Sequence, residues 1–398
     1  MERFNLDGEK IKPLTICLIG GGGFIGSHLC EKLLYKTQHT AIIIDVSSTK
    51  IKHLLRPYSC WFGRVQFHEI NVKRDTLHQH LEPLIAASDL VINLAAIRTP
   101  ANYNTRPLDT IKSNSVDAIP VVEFCIKYKK RLIHFSSCEV YGKTIGSFLP
   151  KDHALQNVSE LYLLKEYDSP CIFGSIDKQR WTYACAKQMI ERLIYAQSAL
   201  HSLEFTIVRP FNWIGPRMDF IRGIDGPREG VPRVLACFTG NLLRGKPLKL
   251  VDGGQSQRSF CYIKEAIEAV LLIIENPARA NGKIFNVGNP ENDVTIKQLA
   301  ELMMEVYADE TKQPASKFTT IDVSSNNFYG PGYDDSDKRI PDMTIINREL
   351  GWKPAMRLRT ILKLCLDHAI DEYKSAIKNE CDSLLEFHTG YEYFSGSE

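Results

Sequence analysis

Residues 15–26 read TICLIGGGGFIG, an apolar run of strand length that passes through four glycines into the start of a helical pattern. Gly20, Gly23 and Gly26 lack side chains at GxxGxxG spacing. The backbone can therefore turn tightly between strand and helix and lie close to a pyrophosphate. Unpaired N–H groups and the positive end of the helix dipole favour an anion at that point. Taken alone, the pattern describes a plain tight turn equally well. The next apolar run, AIIID, ends in Asp45. An acid about 20 residues beyond the glycines accepts hydrogen bonds from adenosine ribose hydroxyls and repels a 2′-phosphate. The cofactor expected is NAD, held by Gly20, Gly23, Phe24, Ile25, Gly26 and Asp45; a solvated strand end is the plainer account of Asp45. Leu94, Ala95 and Ala96 close the fourth apolar run, where small side chains would let backbone rest on the cofactor or simply pack closely.

Outward from this stretch, strand-length apolar runs alternate with amphipathic segments. RVQFHEI, DLVINLA, RLIHFSS and FTIVRP read as strands, and helices are expected near Ile25–Tyr35, Leu108–Tyr128, Arg180–Ala199 and Lys264–Ile274. Such alternation implies parallel strands joined by right-handed helical crossovers. The fold class expected is α/β: a doubly wound parallel Rossmann sheet with a smaller, discontinuous substrate-binding domain. The boundaries expected are 12–209 for the NAD-binding domain, with 258–287 returning to it. Residues 210–257 and 288–378 form the substrate domain, and 379–398 a loosely ordered tail. Loops at 223–233, 251–257 and 324–342, rich in Pro and Gly, are expected to cover the substrate.

The 398 residues carry 49 Lys and Arg against 47 Asp and Glu, a formal charge of +2. That balance lacks the basic footprint of a general nucleic-acid binder. The charged start, MERFNLDGEKIKPL, has no apolar signal region. No later stretch reaches the roughly 18 apolar residues a membrane span needs. Eleven cysteines, from Cys17 to Cys381, include no CxxC pair. An odd, scattered set fits reduced thiols in the cytoplasm and neither a disulfide framework nor a metal site.

Tyr183 and Lys187, in RWTYACAK, fall one turn apart on an expected helix. The ammonium can stabilise a phenolate and lower a pKa ordinarily near ~10, making Tyr183 a base at neutral pH. Ser137, at the end of RLIHFSS, could hydrogen-bond the same substrate oxygen while hydride leaves its carbon. A Tyr–Lys pair is more often a solvated helix face. The order of glycine loop, strand-end acid, strand-end Ser and YxxxK is nevertheless the order found in extended short-chain dehydrogenases.

The segments SSCEVYGKTIGSFLPKDH, PFNWIGPRMDF, VPRVLACF, KLVDGGQSQRSFCYI, NVGNP and YGPGYDDSDKRIPDM are more specific. From about Leu6 to about Lys374 the chain resembles the plant UDP-apiose/UDP-xylose synthases. It is similar at greater distance to the bacterial UDP-glucuronic acid decarboxylase of lipid A modification. The resemblance implies that Glu139 works beside Tyr183 as a general acid/base and that Cys138 borders the sugar. It places Arg339 near the glucuronate carboxylate and Arg180 and Tyr103 in the sugar pocket. Asn212, Arg233, Lys249 and Tyr333 are assigned to UDP. Plainer alternatives are salt-bridge partners for Arg180, Arg233 and Arg339, a small buried residue for Cys138, and a helix cap or a solvated carboxylate for Glu139. His28 and His134 are expected to be structural.

The reaction implied is oxidation of UDP-glucuronic acid at C4, loss of carbon dioxide, and return of the hydride to give UDP-xylose or, after ring contraction, UDP-apiose. Alternatives are a decarboxylase making only UDP-xylose or the 4-keto sugar, and an NAD-binding relative with impaired chemistry. The family also implies a homodimer built through a four-helix bundle. Arg98 departs from the pattern, standing where these plant enzymes usually carry Cys. A guanidinium cannot shuttle protons, so Arg98 is expected to favour UDP-xylose or slow turnover.

Overall fold

The computed structural model describes residues 2–57, 59–71, 77–97, 100–150, 152–221, 233–330 and 333–389. Its centre is a seven-stranded sheet made of β1 (Thr15–Ile19), β2 (Thr40–Asp45), β3 (Val65–Glu69), β4 (Leu90–Asn93), β5 (Arg131–Phe135), β6 (Phe205–Pro210) and β7 (Lys283–Val287). The order is β7-β6-β5-β4-β1-β2-β3, and every neighbouring pair is parallel. This is the doubly wound fold expected. Winding reverses between β1 and β4, the place where such sheets open a crevice at the carboxyl ends of their strands.

The composition of the strands follows from cover on both faces. On β1, Ile16 and Leu18 enter one apolar cluster, while Cys17 and Ile19 enter the other on the opposite face. Alternate side chains of a strand point to opposite faces, so a strand buried on both reads as unbroken apolar sequence. The edge strand β3 is only half-buried. Around the sheet lie α1 (Phe24–Lys36), α2 (Leu77–Ala86), α3 (Pro100–Thr105), α4 (Pro107–Asn114), α5 (Ile119–Lys127) and α6 (Thr182–His201), followed, after α7 (Val234–Leu243), which packs against Leu248–Val251, by α8 (Ile263–Glu275).

The helix expected over Leu108–Tyr128 is instead two helices separated by a 3-10 turn at Val116–Ala118. Pro120, in the first turn of α5, has no N–H to continue a helical ladder, and Ser115 leaves helical geometry with φ −129°. SFCYI, an apolar run that by its length reads as one strand, is likewise interrupted. Gln257–Ser259 pairs antiparallel with Asp293–Thr295, whereas Cys261–Tyr262 pairs parallel with Trp213–Ile214. Phe260 turns between them and donates its N–H to Asn292 O at 3.1 Å.

The remaining segments build on one side of the crevice. Leu248–Val251 pairs with Thr320–Val323, and Leu163–Leu164 with Ile340–Pro341. Leu235, Phe238 and Leu248 here belong to the same apolar cluster as Ile16 and Leu18 of the central sheet. The last helix, Leu358–Thr389, runs on past Lys378.

Candidate active site

The glycine loop is shaped by contacts that leave no room for side chains. Gly20 has φ +80°, and a Cβ there would lie 2.7 Å from Ala95 N and 2.9 Å from Leu94 C. The loop therefore rests directly on the end of β4. A Cβ on Gly26 would meet Gly21 O at 2.4 Å, so α1 also packs tightly on the turn. Asp45, at the end of β2, accepts the Gly22 N–H at 3.0 Å and the Val46 N–H at 2.7 Å. Gly20, Gly23, Phe24, Ile25, Gly26, Asp45, Leu94, Ala95 and Ala96 all line one cleft of about 1550 Å³. Bare backbone at a helix start, faced by a strand-end carboxylate, fits a dinucleotide.

Tyr183 and Lys187 stand one turn apart on α6, both buried and both lining the same cleft. Lys187 Nζ donates to Phe135 O at 2.9 Å, which pins α6 to the end of β5. The Tyr183 ring is stacked on Tyr103, with centroids 4.8 Å apart and planes 4° from parallel. Beyond β5, Ser137 caps the turn Cys138–Tyr141, its Oγ accepting the Glu139 N–H at 3.2 Å. Cys138 is buried beside Arg339; burial pushes its thiol pKa up, against the pull of the guanidinium.

Farther in, charges are concentrated. Arg180 Nη1 donates to Glu139 Oε2 at 2.5 Å, and Arg339 Nη1 lies 3.7 Å from Glu139 Oε1. Asp335 Oδ1 accepts from Arg339 Nη2 at 2.5 Å, Arg180 Nη2 at 3.2 Å and Ser336 N at 2.9 Å. Asp335 Oδ2 accepts from Arg258 Nη2 at 2.6 Å and Tyr333 OH at 3.0 Å. Burial alone would raise the Asp335 pKa, but Arg258, Arg180 and Arg339 together hold its carboxyl far below the usual range. Arg180 and Arg339 are each 2% exposed, and the Nε of each has no hydrogen-bond partner among the described residues.

Of the residues assigned to UDP, Tyr333 belongs to the charged cluster through its hydroxyl on Asp335, while Asn212, Arg233 and Lys249 line the same cleft. Asn212, with φ +38°, donates Nδ2 to Ser259 O at 3.1 Å. Arg233 makes a two-point ion pair with Asp219, Nε–Oδ2 2.9 Å and Nη2–Oδ1 2.8 Å. Lys249 is exposed on its strand, and Tyr333 stacks on Tyr329 at 4.2 Å. Every candidate named from the sequence lines this cleft. Arg98 lies outside the described residues, as do 223–232 of the first expected covering loop and 331–332 of the last.

Sequence reasoning missed Arg258, Asp335 and Asp219. The acids of YDDSDKR sit in a segment already singled out, and pairing them with buried arginines would have exposed Asp335. Nothing in QSQRSF marks Arg258. His28 is held by contacts away from the chemistry: burial, and then Arg217, lower its pKa to about 4, and its Nε2 lies 3.0 Å from Pro216 O. Among the described residues no group of three or more His, Cys, Asp or Glu side chains is placed to hold a metal.

Comparison with known proteins agrees with this geometry. Residues 16–288 match the family described as "NAD dependent epimerase/dehydratase family". UDP-D-apiose/UDP-D-xylose synthase 2 of Arabidopsis thaliana is 68% identical over 378 residues, covering 95% of this chain and 96% of that protein. UDP-D-apiose/UDP-D-xylose synthase of Oryza sativa subsp. japonica is 65% identical over 379 residues, covering 95% and 94%. The crystal structure of the PbgP3 protein from Burkholderia pseudomallei superposes with a TM-score of 0.72 at 30% identity, covering 92% and 98%. The chain belongs to the NAD dependent epimerase/dehydratase family, and the resemblance to the plant synthases is borne out.

Proposed function

We propose that this family member decarboxylates UDP-glucuronic acid in an NAD-dependent cycle and forms UDP-apiose and UDP-xylose. The observation that carries this reading is a charge imbalance inside the cleft. Among the described residues the ion pairs of Arg180, Arg258 and Arg339 are made to two carboxylates, Glu139 and Asp335, and two guanidinium Nε groups are buried without hydrogen-bond partners. Buried charge left uncompensated is costly, so the cluster favours one further anion. A uronate carboxylate on a sugar held beside Tyr183 supplies it. The relatives at 65% and 68% identity are UDP-D-apiose/UDP-D-xylose synthases, which favours the same chemistry.

NAD would be held by Gly20, Gly23, Gly26 and Asp45, and when bound would supply the hydride acceptor for C4 of the sugar and, once reduced, the donor. Tyr183 accepts the proton of the C4 hydroxyl, with the charge of Lys187 one turn away favouring the phenolate. The resulting ketone is β to the carboxylate. As the C5–C6 bond breaks, its electron pair forms a C4–C5 double bond and negative charge settles on the C4 oxygen. The hydroxyls of Ser137 and Tyr183 stabilise that oxygen. Glu139 and Tyr183 then move protons as C5 is reprotonated. The C2–C3 cleavage and reclosure leading to UDP-apiose need additional transfers, for which Cys138 and Glu139 stand nearby.

A homodimer is part of the same proposal. α4 and α6 pack on each other, and Leu108, Ile111, Met189 and Leu200 on these helices are exposed apolar side chains of the kind a four-helix bundle would cover. A cytoplasmic setting accords with the free cysteines of the described residues. No described helix is long and apolar enough to cross a membrane.

Incubation with UDP-glucuronic acid and NAD tests the activity. One carbon dioxide per sugar consumed, both UDP-pentoses and no net NADH are expected. Tight NAD binding without carbon dioxide release would overturn the reading, and UDP-xylose alone would remove the ring contraction from it.

A further inference from the structure

Asp335 is heavily engaged in the cleft, and the mechanism above gives it no task. Its two oxygens accept five hydrogen bonds, from Arg180, Arg339, Ser336, Arg258 and Tyr333. It shares Arg180 and Arg339 with Glu139. Those two buried guanidiniums are also the cations that face the uronate carboxylate in the proposed function, on which this inference rests. We infer that Asp335 is a positioning residue that weakens the grip of Arg180 and Arg339 on the substrate carboxylate, so that carbon dioxide can leave.

The argument is one of differential stabilisation. Before decarboxylation the negative charge is on the carboxylate. When the C5–C6 bond breaks, the carbon dioxide that departs is neutral and the charge is on the C4 oxygen, near Ser137 and Tyr183. A guanidinium pair that binds the carboxylate at full strength stabilises the reactant and not the transition state, which raises the barrier. Buried ion pairs are strong because little water competes with them. Asp335 already occupies Arg180 Nη2 and Arg339 Nη2, and neutralises part of their charge. The cluster keeps enough positive charge to recruit a uronate over a neutral sugar, but holds it loosely.

The test uses the full chain with NAD. For Asp335→Asn, equilibrium binding of UDP-glucuronic acid is compared with that of UDP-xylose, which has no carboxylate, and carbon dioxide release is followed in a single turnover. UDP-glucuronic acid is expected to bind at least about fivefold more tightly, UDP-xylose to change by less than about twofold, and release to slow by about tenfold or more. NADH should accumulate transiently as the 4-keto acid stalls. Equal loss of affinity for both nucleotide sugars would show that Asp335 only shapes the site and would overturn the inference, as would an unchanged rate of release. Asp335→Glu gives a second test that keeps the charge: the ratio of the two affinities should stay near that of the unaltered protein, and a ratio altered as in Asp335→Asn contradicts the inference. Failure of the underlying function shows itself separately, as absence of carbon dioxide release by the unaltered protein.

Discussion

The rings of Tyr103 and Tyr183 lie face to face, 4.8 Å apart and 4° from parallel, and the Arg180 guanidinium is 5.3 Å from the Tyr103 ring centroid. This stack, together with the Lys187–Phe135 hydrogen bond on the next turn of α6, fixes the plane in which the Tyr183 phenol acts. Phenol placement and sugar pocket are therefore mechanically linked.

Removing the Tyr183 hydroxyl while keeping its ring should separate chemistry from architecture. Tyr183→Phe is expected to lower kcat by about a thousandfold, the scale of a general base. The unfolding free energy should stay within about 1 kcal/mol of the original. Tyr103→Leu loses the stack and keeps the phenol, so a loss nearer tenfold is expected from misplacement alone. Steady-state kinetics and urea unfolding on both variants check this.

Gly20→Ala places a methyl group against Ala95 N at a backbone φ of +80°. Both terms are unfavourable, and together they should cost about 1–3 kcal/mol. Since the loop carries the expected cofactor site, NAD affinity should fall along with thermal stability. Calorimetric titration with NAD and a melting curve measure the two effects.

Glu166 gives the protein a pH-dependent stability outside the cleft. It is 5% exposed, Oε1 accepts the Asn286 N–H at 2.9 Å, and Oε2 is buried with no hydrogen-bond partner among the described residues. Burial raises its pKa from 4.5 to about 7. The folded state thus holds this proton more tightly than the unfolded chain. Its stabilising contribution is complete below the unfolded pKa and is lost as pH rises through about 7. Between about pH 5 and about pH 8, the protein should lose on the order of 3 kcal/mol relative to Glu166→Gln. Parallel stability curves for the two would contradict this.

Much of the fold is legible in the sequence because burial on both faces forces a continuous apolar code. TICLI, AIIID and LVIN can hardly be anything except central parallel strands once helices alternate with them. Gly20 and Asp45 are legible for a similar reason, since backbone approach and ribose binding each demand one residue type. The break between α4 and α5 was less visible, because the apolar period carries on through Ser115 and Pro120 while the backbone does not. Arg258 was not legible at all, and Asp335 only as one acid of a marked segment: their meaning comes from partners 77 and 155 residues away, Asp335 itself for the first and Arg180 for the second. Arg233 was assigned to UDP, and its two-point pairing with Asp219 depends on a partner 14 residues away.

The central claim is that one bound cofactor removes a hydride from the sugar and returns it within the same cleft, against the same Tyr183. UDP-glucuronic acid carrying deuterium at C4 tests this most directly, through mass spectrometry of the UDP-pentoses formed with unlabelled NAD. The account predicts that the deuterium is retained in the products, at C4 in UDP-xylose, and that no labelled NADH appears in solution. Pentose products that have lost the label, with deuterium recovered in free NADH, would contradict it.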